Sequence, residues 1–336
     1  MRSSGGSPPR SRGSATTASL PPLVVLAGAT ATGKTRLALE LAAWLGGAEI
    51  ISADSRQVYR GMDIGTAKPT ADERRGIPHH LIDLVEPTEP FTVNDWLTRA
   101  EAAIADLRAR GITPIVVGGT HFYIKALVEG LFEGPAADPA LRAQLTAMDP
   151  AERRAELQRA DPEAAARIHA NDTRRTVRAL EVFRLTGKPI SAHQQQWDAG
   201  APRPDALLVT LNWPTDALNR RINARVKQMM DLGLLDEVRT LLQRNALGPQ
   251  AREALGYKQV IPLAAAVNWP PSPGPLEEAV ERIKIETRRF GKNQRTWLKR
   301  LSTLPGTVPI DAAETPPAAI AVALATRLGT DGTLRY

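Results

Sequence analysis

The sequence predicts an α/β chain, a parallel sheet flanked by helices, with an inserted all-helical subdomain. Three observations carry this reading. Residues 23–27, Leu-Val-Val-Leu-Ala, are an unbroken apolar run, the pattern of a strand buried on both faces. The next eight, Gly28-Ala-Thr-Ala-Thr-Gly-Lys-Thr35, have the glycine spacing of a phosphate-binding loop; helix formers follow from 36 to 45, ending at Gly46-Gly47. A helical stretch without a convincing strand, from about 138 to 196, then separates two further strands. Together these give a P-loop NTPase-like sheet.

A loop of this spacing turns backbone N–H groups inward around an anion, and the helix behind it adds the positive end of its dipole. Gly28, Ala29, Thr30, Ala31, Thr32 and Gly33 are the candidate cradle. Lys34 would reach a phosphate oxygen and the Thr35 hydroxyl would ligate Mg²⁺. Residues 48–53 form the second strand, ending at Asp54-Ser55. Ligands of open parallel sheets bind beyond the carboxyl ends of the strands, so Asp54 faces the same crevice as Lys34. It could be a general base or a magnesium ligand; the competing assignment is a turn or helix-cap aspartate.

Residues 56–70 read as a loop and 76–94 as irregular. A helix covers 94–110, with Thr92 or Asn94 as its N-cap. Ile112–Val117 is the next strand, followed by Gly118-Gly119-Thr120; Thr120 gives the crevice a hydroxyl. No acid ends this strand, so it is not the Walker-B strand of an ATPase. The helical stretch is interrupted at Asp149-Pro150, Asp161-Pro162 and Gly187-Lys188-Pro189. A strand returns at 206–211, and helices follow at about 215–245, 250–266 and 276–300. The domains are thus a core of 21–137 and 198–300, a helical insertion of 138–197, a disordered tail of 1–20 and a peripheral segment of 301–336.

Composition narrows the chemistry. At 336 residues the chain is long enough for one large domain or two ordinary ones. It holds no cysteine, which excludes disulfides, cysteine-ligated zinc and thiol catalysis. Adjacent His79-His80 cannot share one helical face and do not suggest a metal site. No stretch approaches the ~18 apolar residues of a membrane span, and 1–20 lacks the apolar core of a secretory signal, though its Arg and Ser content also suits an organelle transit peptide. A cytoplasmic monomer without a membrane partner is the expectation. The net charge of +7 makes a polyanionic partner plausible. Two stretches concentrate it: Arg282, Lys284, Arg288, Arg289, Lys292, Arg295, Lys299 and Arg300, with Trp297 interleaved and Glu286 the only acid; and Arg167, Arg174, Arg175, Arg178, Arg184 and Lys188. Such clusters suit phosphate backbones, the alternative being solvated helix faces.

From about residue 23 to about 300 the sequence resembles the tRNA dimethylallyltransferases, also called isopentenyl-tRNA transferases. The resemblance rests on Gly28–Thr35; the string Asp54-Ser-Arg-Gln-Val-Tyr-Arg-Gly-Met-Asp-Ile-Gly-Thr-Ala-Lys-Pro69; Val117-Gly-Gly-Thr120; Arg167-Ile-His-Ala-Asn-Asp172 with Arg175 and Arg178; Gly256-Tyr-Lys-Gln259; and Thr287-Arg288 with Gln294 and Trp297. The chain departs from the pattern at Ala29, where the family usually has Pro, and at Gly291 and Asn293, where it often has Ala and Arg.

The resemblance implies transfer of a dimethylallyl group from dimethylallyl diphosphate to N6 of the adenosine 3′ of the anticodon, with Mg²⁺. The P-loop would bind the diphosphate. The implied catalytic set is Asp54, Thr120, Lys34 and an arginine in Arg221-Ile-Asn-Ala-Arg225, both ends of which are candidates. It further implies contacts to the tRNA anticodon stem-loop from Asp54, Ser55, Arg56 and Gln57; Thr120 and Arg142; Arg174, Arg175, Thr176, Val177 and Arg178; Glu253, Ala254, Leu255, Gly256, Tyr257 and Lys258; and Lys292, Asn293, Gln294, Arg295, Thr296, Trp297, Leu298 and Lys299. An adenylate isopentenyltransferase acting on free nucleotide would not need the arginine-rich insertion. A small-molecule P-loop kinase would need neither basic cluster. An ATP-hydrolysing RNA-binding module is opposed by the absent Walker-B acid.

Overall fold

The computed structural model describes residues 20–131, 134–193 and 202–328. The expected disordered tail lies outside these residues up to residue 19. Six parallel strands form one sheet: β1 (Leu23–Gly28), β2 (Ala48–Ala53), β3 (His79–His80), β4 (Thr113–Gly118), β5 (Ala206–Asn212) and β6 (Val308–Asp311), in the order β3-β2-β4-β1-β5-β6. All six residues of β1 are buried, as the unbroken apolar run requires. It sits between β4, with Val25 beside Val116, and β5, with Val25 beside Leu208. The crevice above its carboxyl end is therefore walled on both sides.

Alternation along the strands sends side chains to two cores. Val24, Leu26, Ile50 and Ile115 face α1 (Lys34–Leu45), whose Leu37 and Leu41 are buried against them. Leu23, Val25, Ile51 and Val116 face the larger core. That core is covered by α2 (Val93–Ala109), α3 (His121–Glu129) and the later helices α8 (Thr215–Asp231), α9 (Leu234–Gln243), α10 (Pro249–Arg252), α11 (Tyr257–Ala264) and α12 (Pro273–Leu301). Thr92 is the N-cap of α2, its side chain accepting from the Asp95 N–H while Asp95 accepts in return.

The helical stretch forms α4 (Pro139–Ala147), α5 (Pro150–Ala160), α6 (Pro162–Arg167) and α7 (Thr173–Thr186). Asp138, Asp149 and Asp161 cap three of them ahead of Pro139, Pro150 and Pro162, so the Asp-Pro breaks are helix starts. Leu145, Leu157, Val177 and Leu180 give this block its own apolar cluster.

Three expectations need correction. The 76–94 segment is not wholly irregular, because His79 and His80 pair with Ile50 and Ile51 as an edge strand. Helix 215–245 is two helices, broken where Gly233 takes the left-handed conformation at φ 95°. Residues 301–328 are not peripheral: Val308–Asp311 completes the sheet beside β5, and α13 (Pro317–Leu328) packs on α1, burying Ile320, Leu324 and Leu328. The signal was weak because β6 is four residues long and carries Pro309, which an edge strand tolerates. Leu324→Ala should therefore lower the unfolding free energy by about 2–5 kcal/mol, as for a core leucine. A urea titration checks this, and a change within error of zero would make the C-terminal helix peripheral after all.

Candidate active site

The carboxyl ends of the central strands open into a cavity of about 580 Å³. Thr30, Lys34 and Thr35 form its floor, Asp54 to Gln57 and Gly118 to Thr120 its near wall. Ile222, Arg225, Val226 and Met229 of α8, Glu253 to Gly256, and one face of α12 close the far side.

The loop is braced from several directions. Gly33, at φ 88°, makes the turn into α1 in a conformation that strains any other residue. Ala31 is also left-handed, at φ 63°, and its carbonyl accepts from Arg221 Nε at 2.7 Å. The Arg221 guanidinium lies over the Trp213 ring, 4.4 Å from its centroid, and Trp213 Nε1 donates to Thr32 O at 3.1 Å. On the other side Gln294 Oε1 accepts from Thr30 N at 2.9 Å while its Nε2 donates to Gly119 O at 2.8 Å. Gln294 thus joins the ends of β1 and β4, which leaves Gly119 and Lys34 at the same point of the cavity floor.

The two candidate arginines now separate. Arg221 grips the loop from outside; Arg225, one helical turn on, lines the cavity. Burial and the Arg225 charge press the Lys34 ammonium down to about 8, against the opposing pull of Asp54. Burial likewise lowers Arg225, with Asp54 opposing and Arg221 adding to it. Lys34, Arg225 and Asp54 therefore feel one another across a single space. Asp54 also meets its competing assignment, since Oδ1 accepts from Arg56 N at 2.9 Å and Gln57 N at 3.4 Å. That fixes the turn and leaves Oδ2 for the crevice. Thr120 Oγ1 accepts from Ser55 N at 3.0 Å beside it. Thr35 lines the cavity and its hydroxyl bonds no described residue. A free hydroxyl and a carboxylate oxygen are hard donors that fit Mg²⁺, which takes one or two protein oxygens beside phosphate.

The tRNA candidates divide by exposure. Arg174, Arg175, Glu253, Lys258, Lys292, Asn293, Thr296 and Lys299 are exposed. Along α12, Arg282, Arg289, Lys292 and Lys299 recur at helical spacing on one outer face. Arg56 donates to Gln250 O, and Arg295 to the Thr215 hydroxyl. Trp297 stacks on His121 at 4.7 Å. Ser55 and Leu255 line the cavity itself. By contrast Thr176, Val177, Tyr257 and Leu298 are buried outside the cavity lining, while Ala254, Gly256 and Gln294, also buried, line the cavity. They are the inward positions of helices or turns whose outward positions carry the charge. Gln57 is committed internally, to Ser52 Oγ and to the carbonyls of Thr66 and Ala67. Arg142 and Arg178 both donate to buried Glu181. Burial alone would raise the Glu181 carboxyl, but those two arginines and the Asp138 N–H hold it below its ordinary range.

The IPP transferase family profile matches residues 57–301 and the isopentenyl transferase profile residues 21–84. A tRNA dimethylallyltransferase of Shouchella clausii is 46% identical over 286 residues, 84% of this chain and 89% of its own length. Another, from Syntrophus aciditrophicus, is 48% identical over 283 residues, 82% and 88% of the two chains. Among solved structures, the tRNA isopentenylpyrophosphate transferase of Bacillus halodurans is 36% identical at a TM-score of 0.65, covering 92% of this chain and 96% of that one. A eukaryotic dimethylallyltransferase acting on tRNA reaches a TM-score of 0.78 at 29% identity, covering 94% and 81%.

Lys34 makes the anion affinity of the cavity depend on pH. Above about 8 the free site loses the Lys34 proton, while arginines stay charged. Calorimetric titration with inorganic pyrophosphate, corrected for the ligand's own ionisation, should show affinity falling above that pH by up to about tenfold per unit. Lys34→Met should lose affinity and pH dependence together. A Met variant that keeps the dependence would assign it to another group.

Proposed function

The chain belongs to the IPP transferase family and is a prenyltransferase, and from that premise we propose that it moves a dimethylallyl group from dimethylallyl diphosphate to N6 of the adenosine 3′ of the anticodon in tRNA. One observation carries the reading: a phosphate loop with Lys34 and Arg225 shares its cavity with Asp54 and Thr120, at the end of a sheet whose β4 lacks a water-activating acid.

The chemistry follows from the parts. An exocyclic adenine amine is a poor nucleophile because its lone pair is delocalised into the ring. Asp54 Oδ2 takes the N6 proton as the new N6–C1 bond forms. The C1–O bond to the diphosphate breaks on the opposite side, and the departing oxygen gains charge. Lys34, Arg225 and the N–H groups of the loop receive that charge without reorganising. Thr35 is the residue that would hold Mg²⁺, whose divalent charge would offset the diphosphate. Arg221 keeps the strained loop in shape. Ile222, Val226 and Met229 of α8 with Ile283 and Phe290 of α12 give the cavity an apolar side suited to a five-carbon allyl group. The adenine leaves its stack to enter, and the outer basic face of α12 with Arg174 and Arg175 takes the surrounding phosphates. The reading includes action in the cytoplasm as a monomer. No described helix is long and apolar enough to cross a membrane.

Incubation with dimethylallyl diphosphate, Mg²⁺ and unmodified tRNA should yield N6-isopentenyladenosine by mass, and AMP in place of tRNA should yield none. Asp54→Asn should fold normally yet lose turnover by ~10²–10⁴, the usual cost of a missing general base. Product on AMP alone would favour the free-nucleotide enzyme, and near-native single turnover by the Asn variant would remove Asp54 from its role.

Binding to tRNA should weaken steeply with salt, log K falling by roughly 0.7–0.9 per phosphate neutralised for each log unit of salt. Replacing Lys292 and Lys299 by Ala should flatten that slope and leave pyrophosphate affinity intact. Filter binding across a salt series checks this; an unchanged slope would return the stripe to a solvated helix face.

A further inference from the structure

Glu237 lies on α9, outside the cavity, yet its carboxylate collects four donors. Oε2 accepts from Asp63 N at 3.0 Å and Ile64 N at 2.8 Å; Oε1 accepts from Gly65 N at 3.2 Å and from the Tyr257 hydroxyl at 2.5 Å. Three successive backbone N–H groups converging on one carboxylate form an anion nest closed by a side chain. The fit is tight, because a Cβ on Gly65 would stand 2.3 Å from the Tyr257 ring and 2.9 Å from Leu234. Tyr257 is wholly buried, so its hydroxyl is held where it is.

The same turn reaches the reacting centre. The carbonyls of Thr66 and Ala67 accept from Gln57 Nε2 at 3.3 and 3.4 Å, and Gln57 Oε1 accepts from Ser52 Oγ at 3.0 Å. The Gln57 side chain is thereby anchored at both ends. Its own N–H, with that of Arg56, holds Asp54 Oδ1. A continuous path runs from Tyr257 and Glu237 through residues 63–67 and Gln57 to Asp54. Every bond in it is to backbone or to a fixed side chain. Glu237 also ties the Thr66 side of the cavity to the Gly256 side, since Tyr257 adjoins Gly256.

We propose that Glu237 is a positioning residue for Asp54, acting through the 63–67 turn and Gln57 rather than by touching substrate. The inference rests on Asp54 being the base. A carboxylate displaced by about 1 Å loses on the order of 10²-fold in rate. Glu237→Gln turns a donor toward N–H groups that need an acceptor, and should lower single-turnover kcat by about that factor. The affinity for prenyl diphosphate, set by the phosphate loop, should stay within about twofold. Tyr257→Phe removes one donor of four and should keep most of the rate.

The decisive readout is a double-mutant cycle with Asp54→Asn. Residues that act as a unit are not additive. Glu237→Gln should therefore cost little or nothing further in the Asn background, whereas a general loosening of the fold would cost the same in both. Should the Gln variant fold poorly, Glu237→Asp, which withdraws the carboxylate by one methylene, is run through the same cycle. Near-native kcat for both Glu237 variants, or an equal loss in both backgrounds, overturns the proposal. If Asp54→Asn itself turns over at the native rate, the base assignment fails instead, and the two failures are distinguishable.

Discussion

The site depends on holding like charges together before any anion arrives. Lys34, Arg225 and Arg221 stand with the positive end of α1 around one small loop, and Asp54 is the carboxylate that offsets them inside the cavity. Left to themselves these groups would splay apart. They are held by neutral and backbone contacts: Gln294 across β1 and β4, Trp213 on Thr32, and Arg221 on Ala31. Burial first, and the Arg225 charge after it, press the Lys34 ammonium below its ordinary value. In the proposed reaction a diphosphate would offset this positive charge, and the same geometry would then serve binding and leaving-group stabilisation.

The opposite economy governs the helical block. There two arginines, Arg142 and Arg178, share one buried acid, Glu181, and the carboxylate stays ionised because the arginines outnumber it. Positive charge on α7 is thus of two kinds. Arg178 is half-buried and helps anchor Pro135 through its carbonyl; Arg174 and Arg175 project into solvent. Only the second kind is available to a polyanion at no structural cost, since removing Arg178 strips a buried carboxylate of a partner.

Local patterns were legible and long-range partners were not. The phosphate loop is a matter of glycine spacing between a strand and a helix, and Asp54 of its place at a strand end, so both could be read from residues a few positions apart. Gln294 reads as one polar residue in a basic helix; its burial follows from the end of α12 lying over Thr30 and Gly119, a contact across more than half the chain. Arg221 and Arg225 sit one turn apart on one helix, and only the direction of approach to the loop tells clamp from cavity wall. Glu237 reads as an ordinary acid in the first turn of an amphipathic helix. Its role comes from a turn 172–174 residues earlier. Val308–Asp311 lacked the length that marks a strand and carries Pro309, and its place is set by the open edge of β5.

The placement of β1 has a consequence for synthesis. Its five apolar residues emerge from the ribosome first, but the neighbours that bury it are Ile115 to Gly118 on one side and Ala206 to Leu211 on the other. At about 5–20 residues per second, the second of these follows only after roughly ten to forty seconds. During that interval the strand has one flank unpaired, and an open apolar edge is the template on which other chains add. Vectorial folding of this chain therefore has a built-in waiting period. The helical block, whose apolar cluster is drawn from residues between Leu141 and Ile190, can fold within it while the central strand still lacks its last neighbour.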